Sequence, residues 1–345
     1  MEINLKDIPE YLKNSELYRI FLENSGDIIT ISPKHYVKDI VIQSFDHLCN
    51  YLEIYRYWML DDSFKYLFYD YVKNNDVNIQ YLKDNFNELS DLIEEFDQVK
   101  KFNEKSSIFA AEKGNIYLLK YLHENGCPWN VYTCHGASKN GHLDCLKYAH
   151  ENNYPWDKDT CSYAALNNHL DCLRYAHENE CPWDNLTCSR ASKNGHLDCL
   201  KYAHENGCPW NELTCQAATS NDHFNCLIYL HKNKCPWDEN TCNAAASNGH
   251  LNCLIYLHEN GCPWDQKTCS IAALNGHLEC LRYAHENECP WDESTCEYAA
   301  KYDHLECLRY AHENGCPWNK NTCINASNNG YQDCLNYALE NGCPS

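Results

Sequence analysis

Asp157-Lys-Asp-Thr-Cys-Ser-Tyr-Ala-Ala-Leu-Asn-Asn-His-Leu-Asp-Cys-Leu-Arg-Tyr-Ala-His-Glu-Asn-Glu-Cys-Pro-Trp183 decides the fold, because the stretch recurs. Cys-Pro-Trp begins at Cys127, Cys181, Cys208, Cys235, Cys262, Cys289 and Cys316, always 27 residues or a multiple of 27 apart. Tyr154-Pro155-Trp156 fills the one gap, and Cys343-Pro344 stands near the end. Nine units of 27 residues therefore fill the chain from Asn103 to Ser345. A fixed period of this length marks stacked supersecondary units.

Each unit carries two helix signatures. The first helix opens at Asn103, Asn130, Asp157, Asp184, Asn211, Asp238, Asp265, Asp292 or Asn319, residue types whose side chains accept hydrogen bonds from the free N–H groups of a first turn. Asn-Gly or Asn-Asn, as at Asn140-Gly141 and Asn167-Asn168, ends it where a left-handed residue is cheapest. The second helix is expected from about His142 to His150 and its equivalents. It stops at Glu-Asn-Gly with proline just beyond, as at Gly207 and Pro209. Helices this short are marginal alone, so stability must come from stacked neighbours. The expected fold class is an all-α solenoid of nine helix-turn-helix units, with a mainly helical N-terminal domain. The expected division is 1–98 and 99–345.

Ala-Ala-x-Asn-Gly-His-Leu followed by Tyr-x-His-Glu-Asn-Gly resembles the ankyrin repeat. Two features depart from that family. The unit is shorter than the usual ankyrin repeat, the loss falling between Trp-Asp/Asn and the first helix, so the projecting β-hairpin finger should shrink to a tight loop. Thr-Cys-x-x stands near the place of Thr-Pro-Leu-His. The Cys-Pro-Trp variant is similar to arrays of large DNA viruses of amoebae. The resemblance implies a non-enzymatic scaffold whose inner helices line a concave groove for a protein partner.

Each full unit has three cysteines and two histidines, for example Cys188, His196, Cys199, His204 and Cys208. One reading is a zinc ladder, since His196 and Cys199 share a helical face. The other is that thiols serve as small buried hydrophobes. The chain supplies its own control: Ser107, Leu118 and Asn115 stand in the first unit where later units have Cys161, Cys172 and His169, and Tyr154 replaces a loop cysteine. Leucine can replace a core residue but not a metal ligand, so packing is favoured and neither metal nor cofactor is expected. Disulfides between equivalent cysteines of neighbouring units would span about 8–10 Å, beyond the roughly 7 Å limit on Cα separation. The histidines at His150, His177 and His204 are expected to meet the helix dipole at the last turn. Those at His142 and its equivalents should bond the neighbouring loop. No nucleophile with its own base and no phosphate-cradling glycine loop is seen, so neither catalysis nor a small-molecule partner is expected.

Comparing units shows which positions vary. In the first helix these lie two, six and nine residues after the cap, a single stripe of i, i+4, i+7 spacing. Its candidate partner-binding residues are Tyr132; Asp159, Tyr163 and Leu166; Leu186, Arg190 and Lys193; Leu213; Lys267, Ile271 and Leu274; and Tyr298 and Lys301. Aliphatic and aromatic side chains gathered on one stripe mark interfaces. The second helix has a charged stripe, such as Asp171, Arg174 and Glu178, read as solvated.

The chain of 345 residues has a net charge of -21, spread over both parts. That field repels phosphate, so neither nucleic acid nor anionic membrane is an expected partner. No long apolar run or export signal is seen, and 25 cysteines suit a reducing compartment, so the cytoplasm is expected, the host's if the protein is viral. The first 99 residues lack the period. Helical runs are expected at Phe45–Leu60, Ser63–Asn74 and Asn87–Lys100, and strands at Ile28–Ile31 and Val37–Ile42. Phe-x-x-Leu-x-x-Tyr-Leu and Tyr-Trp-Met-Leu-x-x-Ser-Phe resemble the end of a BTB/POZ domain, a family that dimerises or bridges to cullin ubiquitin ligases. The alternative is a helical cap on the array. At the other end Tyr331, Gln332 and Leu339 break the pattern and are expected to form a cap, Gln332 replacing a core leucine.

Overall fold

A computed structural model describes residues 2–4, 28–30, 69, 71–75 and 77–344. The chain forms two compact parts, Met1–Trp156 and Asp157–Ser345. In the first part the expected strand is found at Ile28–Thr30. It pairs antiparallel with Glu2–Asn4, which the sequence reading did not mark, placing Ile3 opposite Ile29. Val37–Ile42, Phe45–Leu60 and the BTB-like patterns lie outside the described residues. Tyr69 and residues 71–74 are helical, inside the expected 63–74 run. A helix not anticipated, Ile79–Asn85, starts at Asn78, whose side chain accepts from the Tyr81 N–H. The 87–100 run is a 3-10 turn, Asn87–Leu89, followed by the α-helix Ser90–Lys101. These helices pack on the first repeat: the Tyr69 hydroxyl donates to Glu95 at 2.7 Å and accepts from Asn115 Nδ2 at 3.2 Å.

Nine helix pairs follow, with first helices at Glu104–Glu112, Val131–Lys139, Lys158–Leu166, Asn185–Lys193, Glu212–Ser220, Glu239–Asn248, Gln266–Leu274, Glu293–Lys301 and Lys320–Asn329. All nine expected Asn or Asp residues are the N-caps, in extended backbone; Asp157, for one, accepts from the Asp159 N–H. Second helices, such as Leu143–Glu151 and Leu170–Glu178, begin just after the repeated histidine. The left-handed residue between the two is Gly141 in one repeat and Asn168 in the next. Six residues, Asn179 to Asp184, connect the second helix of one repeat to the first helix of the next without a strand, so the finger is absent there, as expected.

The core of each repeat is made of small side chains. In repeat three Cys161, Ala164, Ala165, Leu173 and Ala176 have no exposed surface. Alanine and cysteine let neighbouring first helices approach closely, which bulkier side chains would prevent. All 24 described cysteines are buried thiols. The loop thiol has a specific partner that sequence comparison did not reveal: Cys181 donates to the Asp157 carbonyl at 3.2 Å, and Cys208, Cys262 and Cys316 do the same to Asp184, Asp238 and Asp292. That carbonyl belongs to the cap that opened the same repeat, so the thiol ties the end of these repeats to their beginning. Burial pushes the Cys199 and Cys307 thiols up to about 12 and holds them protonated. A protonated, enclosed thiol is a poor nucleophile.

The expected cap at the far end needs correction. Gln332 is exposed, but its equivalents Leu278 and Leu305 are only half-buried, so it replaces no core residue. In the same last repeat Ile324 and Leu339 are 42% and 49% exposed, so apolar surface stays open there.

Candidate interaction surface

Before any side chain can be offered to a partner, those that fasten the repeats together must be set apart. The last-turn histidines are the clearest case. In the second compact part His177 Nδ1 shares a hydrogen bond of 3.0 Å with the Tyr202 hydroxyl of the next repeat, and its ring stacks on Trp183 at 3.9 Å. His204 with Tyr229 and Trp210, and His285 with Tyr310 and Trp291, repeat the arrangement. Burial lowers the His204 pKa from its ordinary value, which favours the neutral ring. The helix-dipole role is therefore replaced by a Tyr–His–Trp ladder between repeats. The other histidines act as expected: Nε2 of His196 bonds the Leu166 carbonyl of the preceding repeat at 3.1 Å, and His277 bonds that of Ser247 at 3.1 Å.

These rings also explain the Asn-Gly pairs. At Gly249, with φ of 72°, an added Cβ would stand 2.6 Å from Nδ1 of His277. Where the glycine is replaced, the substitute is Asn168, Asp222 or Asp303, and each side chain accepts from a thiol of the next repeat; Cys253 donates to Asp222 at 3.5 Å.

The variable stripe is what remains. Among the described residues of the first compact part Tyr132 is the most exposed large apolar side chain, at 58%. In the second, Leu186 and Leu213 are 39% and 51% exposed, and Lys193 and Lys267 are exposed as well. Asp159, Tyr163, Leu166, Arg190, Ile271, Leu274, Tyr298 and Lys301 are intermediate, and no residue of the candidate set is buried. Arg190 is already engaged. Its guanidinium pairs with Asp159 at 3.2 Å, bonds Ser162 and lies 4.8 Å from the centroid of the Tyr163 ring. It therefore positions repeat four against repeat three, which its variability did not suggest.

A second set of variable residues, five positions after the cap, was missed because variation alone does not separate a surface from a joint. Gln216 donates to Asp238 at 3.0 Å, Asn243 accepts from Thr268 at 2.8 Å, and Glu297 accepts from Asn319 at 2.8 Å, each reaching the next repeat. The 22- or 25-residue spacing of these polar pairs was the available signal. The outer stripe of the second helices is exposed as expected, though Arg174 also lies 4.9 Å from the centroid of the Tyr202 ring. Among the described residues no group of three or more His, Cys, Asp or Glu side chains could hold a metal ion, and no helix is long and apolar enough to cross a membrane.

A family profile described as ankyrin repeats (many copies) matches residues 188–231. No curated protein matches the chain. Among solved structures the human ASB11 ankyrin repeat domain is similar, at 19% identity over 46% of this chain and 84% of its own, with a TM-score of 0.40. The matched segment holds two of nine helix pairs built alike, and the chain thus carries an all-α solenoid of ankyrin-like repeats.

Proposed function

We propose that this protein is a non-enzymatic scaffold that binds another protein along the variable stripe of its first helices. One observation carries the reading. The positions two, six and nine residues after the cap vary between repeats and, apart from buried Gly136 and the engaged Asp159–Arg190 pair, stay accessible, while the repeated histidines and the polar residues five after the cap are spent on joining repeats. Leu186 and Leu213 are the centre of the proposed face in the second compact part, with Tyr163, Leu166 and Lys193 beside them. Lys267, Ile271, Leu274, Tyr298 and Lys301 extend it, and Tyr132 belongs to the same set of positions. Exposed leucine is ordinary when scattered, but recurrence at one helical register is the mark of a contact surface. Arg190 and Asp159 serve it indirectly by fixing the Tyr163 ring.

The reading places the protein in the cytoplasm, the host's where the viral likeness of the Cys-Pro-Trp units applies, since protonated packing thiols suit a reducing compartment. Zinc binding and recruitment to a cullin through residues 1–98 draw no support from the described residues.

Site-specific photo-cross-linking in the native cell tests the face. A photoreactive amino acid at position 186 or 213 should capture the same protein, while one at position 174 or 282, on the second helices, should not. Capture confined to the second-helix positions would mean that the faces are assigned the wrong way round.

A further inference from the structure

The charge of the stripe runs against the charge of the chain. Within Asp157–Ser345 the stripe carries the cations Arg190, Lys193, Lys267 and Lys301 and one anion, Asp159, which is taken up by Arg190 at 3.2 Å. The whole chain has a net charge of -21. Among the described residues neither Lys193 nor Lys267 makes an ion pair, and Lys301 Nζ only overlies the Tyr302 ring, 5.3 Å from its centroid. The exposed leucines Leu186 and Leu213 lie on the same stripe. Glu239 and Glu293 open first turns beside it without belonging to its three positions. The second helices present the opposite sign, with Asp198, Glu205, Glu279 and Glu286 exposed.

We infer that the partner offers an extended acidic segment bearing leucine-like side chains, laid across the first helices from Lys193 to Lys301. The inference rests on the stripe being the binding face. Lysines that pair with no carboxylate among the described residues cost least to desolvate when a partner's carboxylates meet them. The leucines take up the aliphatic side chains between those carboxylates. Four repeats at about 9 Å each separate Lys193 from Lys301, so an extended strand of about eleven residues spans them. Nucleic acid fits less well: its phosphates meet a strongly acidic chain, and its sugar–phosphate backbone leaves Leu186 and Leu213 without apolar cover.

The test uses the full chain as bait for a displayed library of random peptides about sixteen residues long, which exceeds the span required. Selected peptides should be rich in Asp, Glu and Leu. As labelled synthetic peptides they should bind about tenfold or more weakly to the Lys193→Glu/Lys267→Glu/Lys301→Glu protein, and bind less tightly as salt rises. Lys→Gln changes at the same positions should give an intermediate loss, and unchanged circular dichroism would show that both proteins fold. If selected peptides are neutral or basic, or ignore the charge reversal yet weaken with Leu186→Ser/Leu213→Ser, the acidic partner is wrong while the face stands. Peptides indifferent to both variants, or no enrichment, overturn the inference and the face together. Tighter binding of a labelled oligouridine that charge reversal abolishes would overturn it in favour of RNA.

Discussion

His204 is held on one side by the Trp210 indole, 3.8 Å between centroids, and on another by the Tyr229 hydroxyl at 2.9 Å. Its pKa is lowered by burial from 6.5, and that of His196 is lowered chiefly for the same reason. In the unfolded chain both protonate near the ordinary value, so just below it the unfolded form binds more protons than the folded one. Their contribution to stability is complete above about pH 6.5 and is lost as pH falls toward the lower folded value. Urea midpoints should therefore drop between about pH 7.5 and about pH 5.5, above the range where carboxylates titrate. His204→Gln should make that slope shallower, and His204→Ala should cost about 1–3 kcal/mol at neutral pH through lost stacking and an unpaired phenol. A slope unchanged by His204→Gln would show that the ladder does not titrate there. The neighbour-bonding use of His196 was read from the sequence, whereas His204 was read as a dipole partner, because a last-turn position fits a dipole and a neighbour's side chain equally well.

At the level of the helix pair, the turn between first and second helices sets a sharper test. Gly249→Ala places a methyl in left-handed backbone and against His277, whose ring must shift from its bond to Ser247. The change should cost about 1–3 kcal/mol. Gly249→Asn should cost less than Ala, since Asn168 and Asp222 already occupy this place and offer an acceptor to the next thiol. Equal losses for Ala and Asn would mean that the thiol contact contributes nothing. Caps, turns, helix lengths and the shortened connection were all legible, because each is written by a residue type acting within a few positions of itself. The Cys181 thiol on the Asp157 carbonyl and the Gln216–Asp238 pair were not, since they join residues 24 and 22 apart through space. Of the candidate surface, the stripe could be read from periodicity and variation. The engagement of Arg190 could not, because its partners Asp159, Ser162 and Tyr163 lie on a different helix.

For the molecule as a whole, bonds within the array reach only the same repeat or the next in the pairs described above. Stability should then be a sum over repeats and the joints between them. Truncation after Trp264 should leave a folded, shorter array whose helicity per residue is unchanged and whose urea midpoint is lower. Loss of helical circular dichroism from the remaining residues would contradict this. The joints also bear on inheritance. His177 with Tyr202, His204 with Tyr229 and His285 with Tyr310 span 25 residues each, and His196 with Leu166 and His277 with Ser247 span 30. The joints named here share the histidine bonds even where their other polar pairs differ, so recombination that deletes or duplicates one period of 27 codons brings largely compatible ends together. What such an event alters is the run of side chains two, six and nine residues past the cap. A gene of this kind can therefore lengthen, shorten or shuffle its recognition surface in single steps, without first solving a new folding problem.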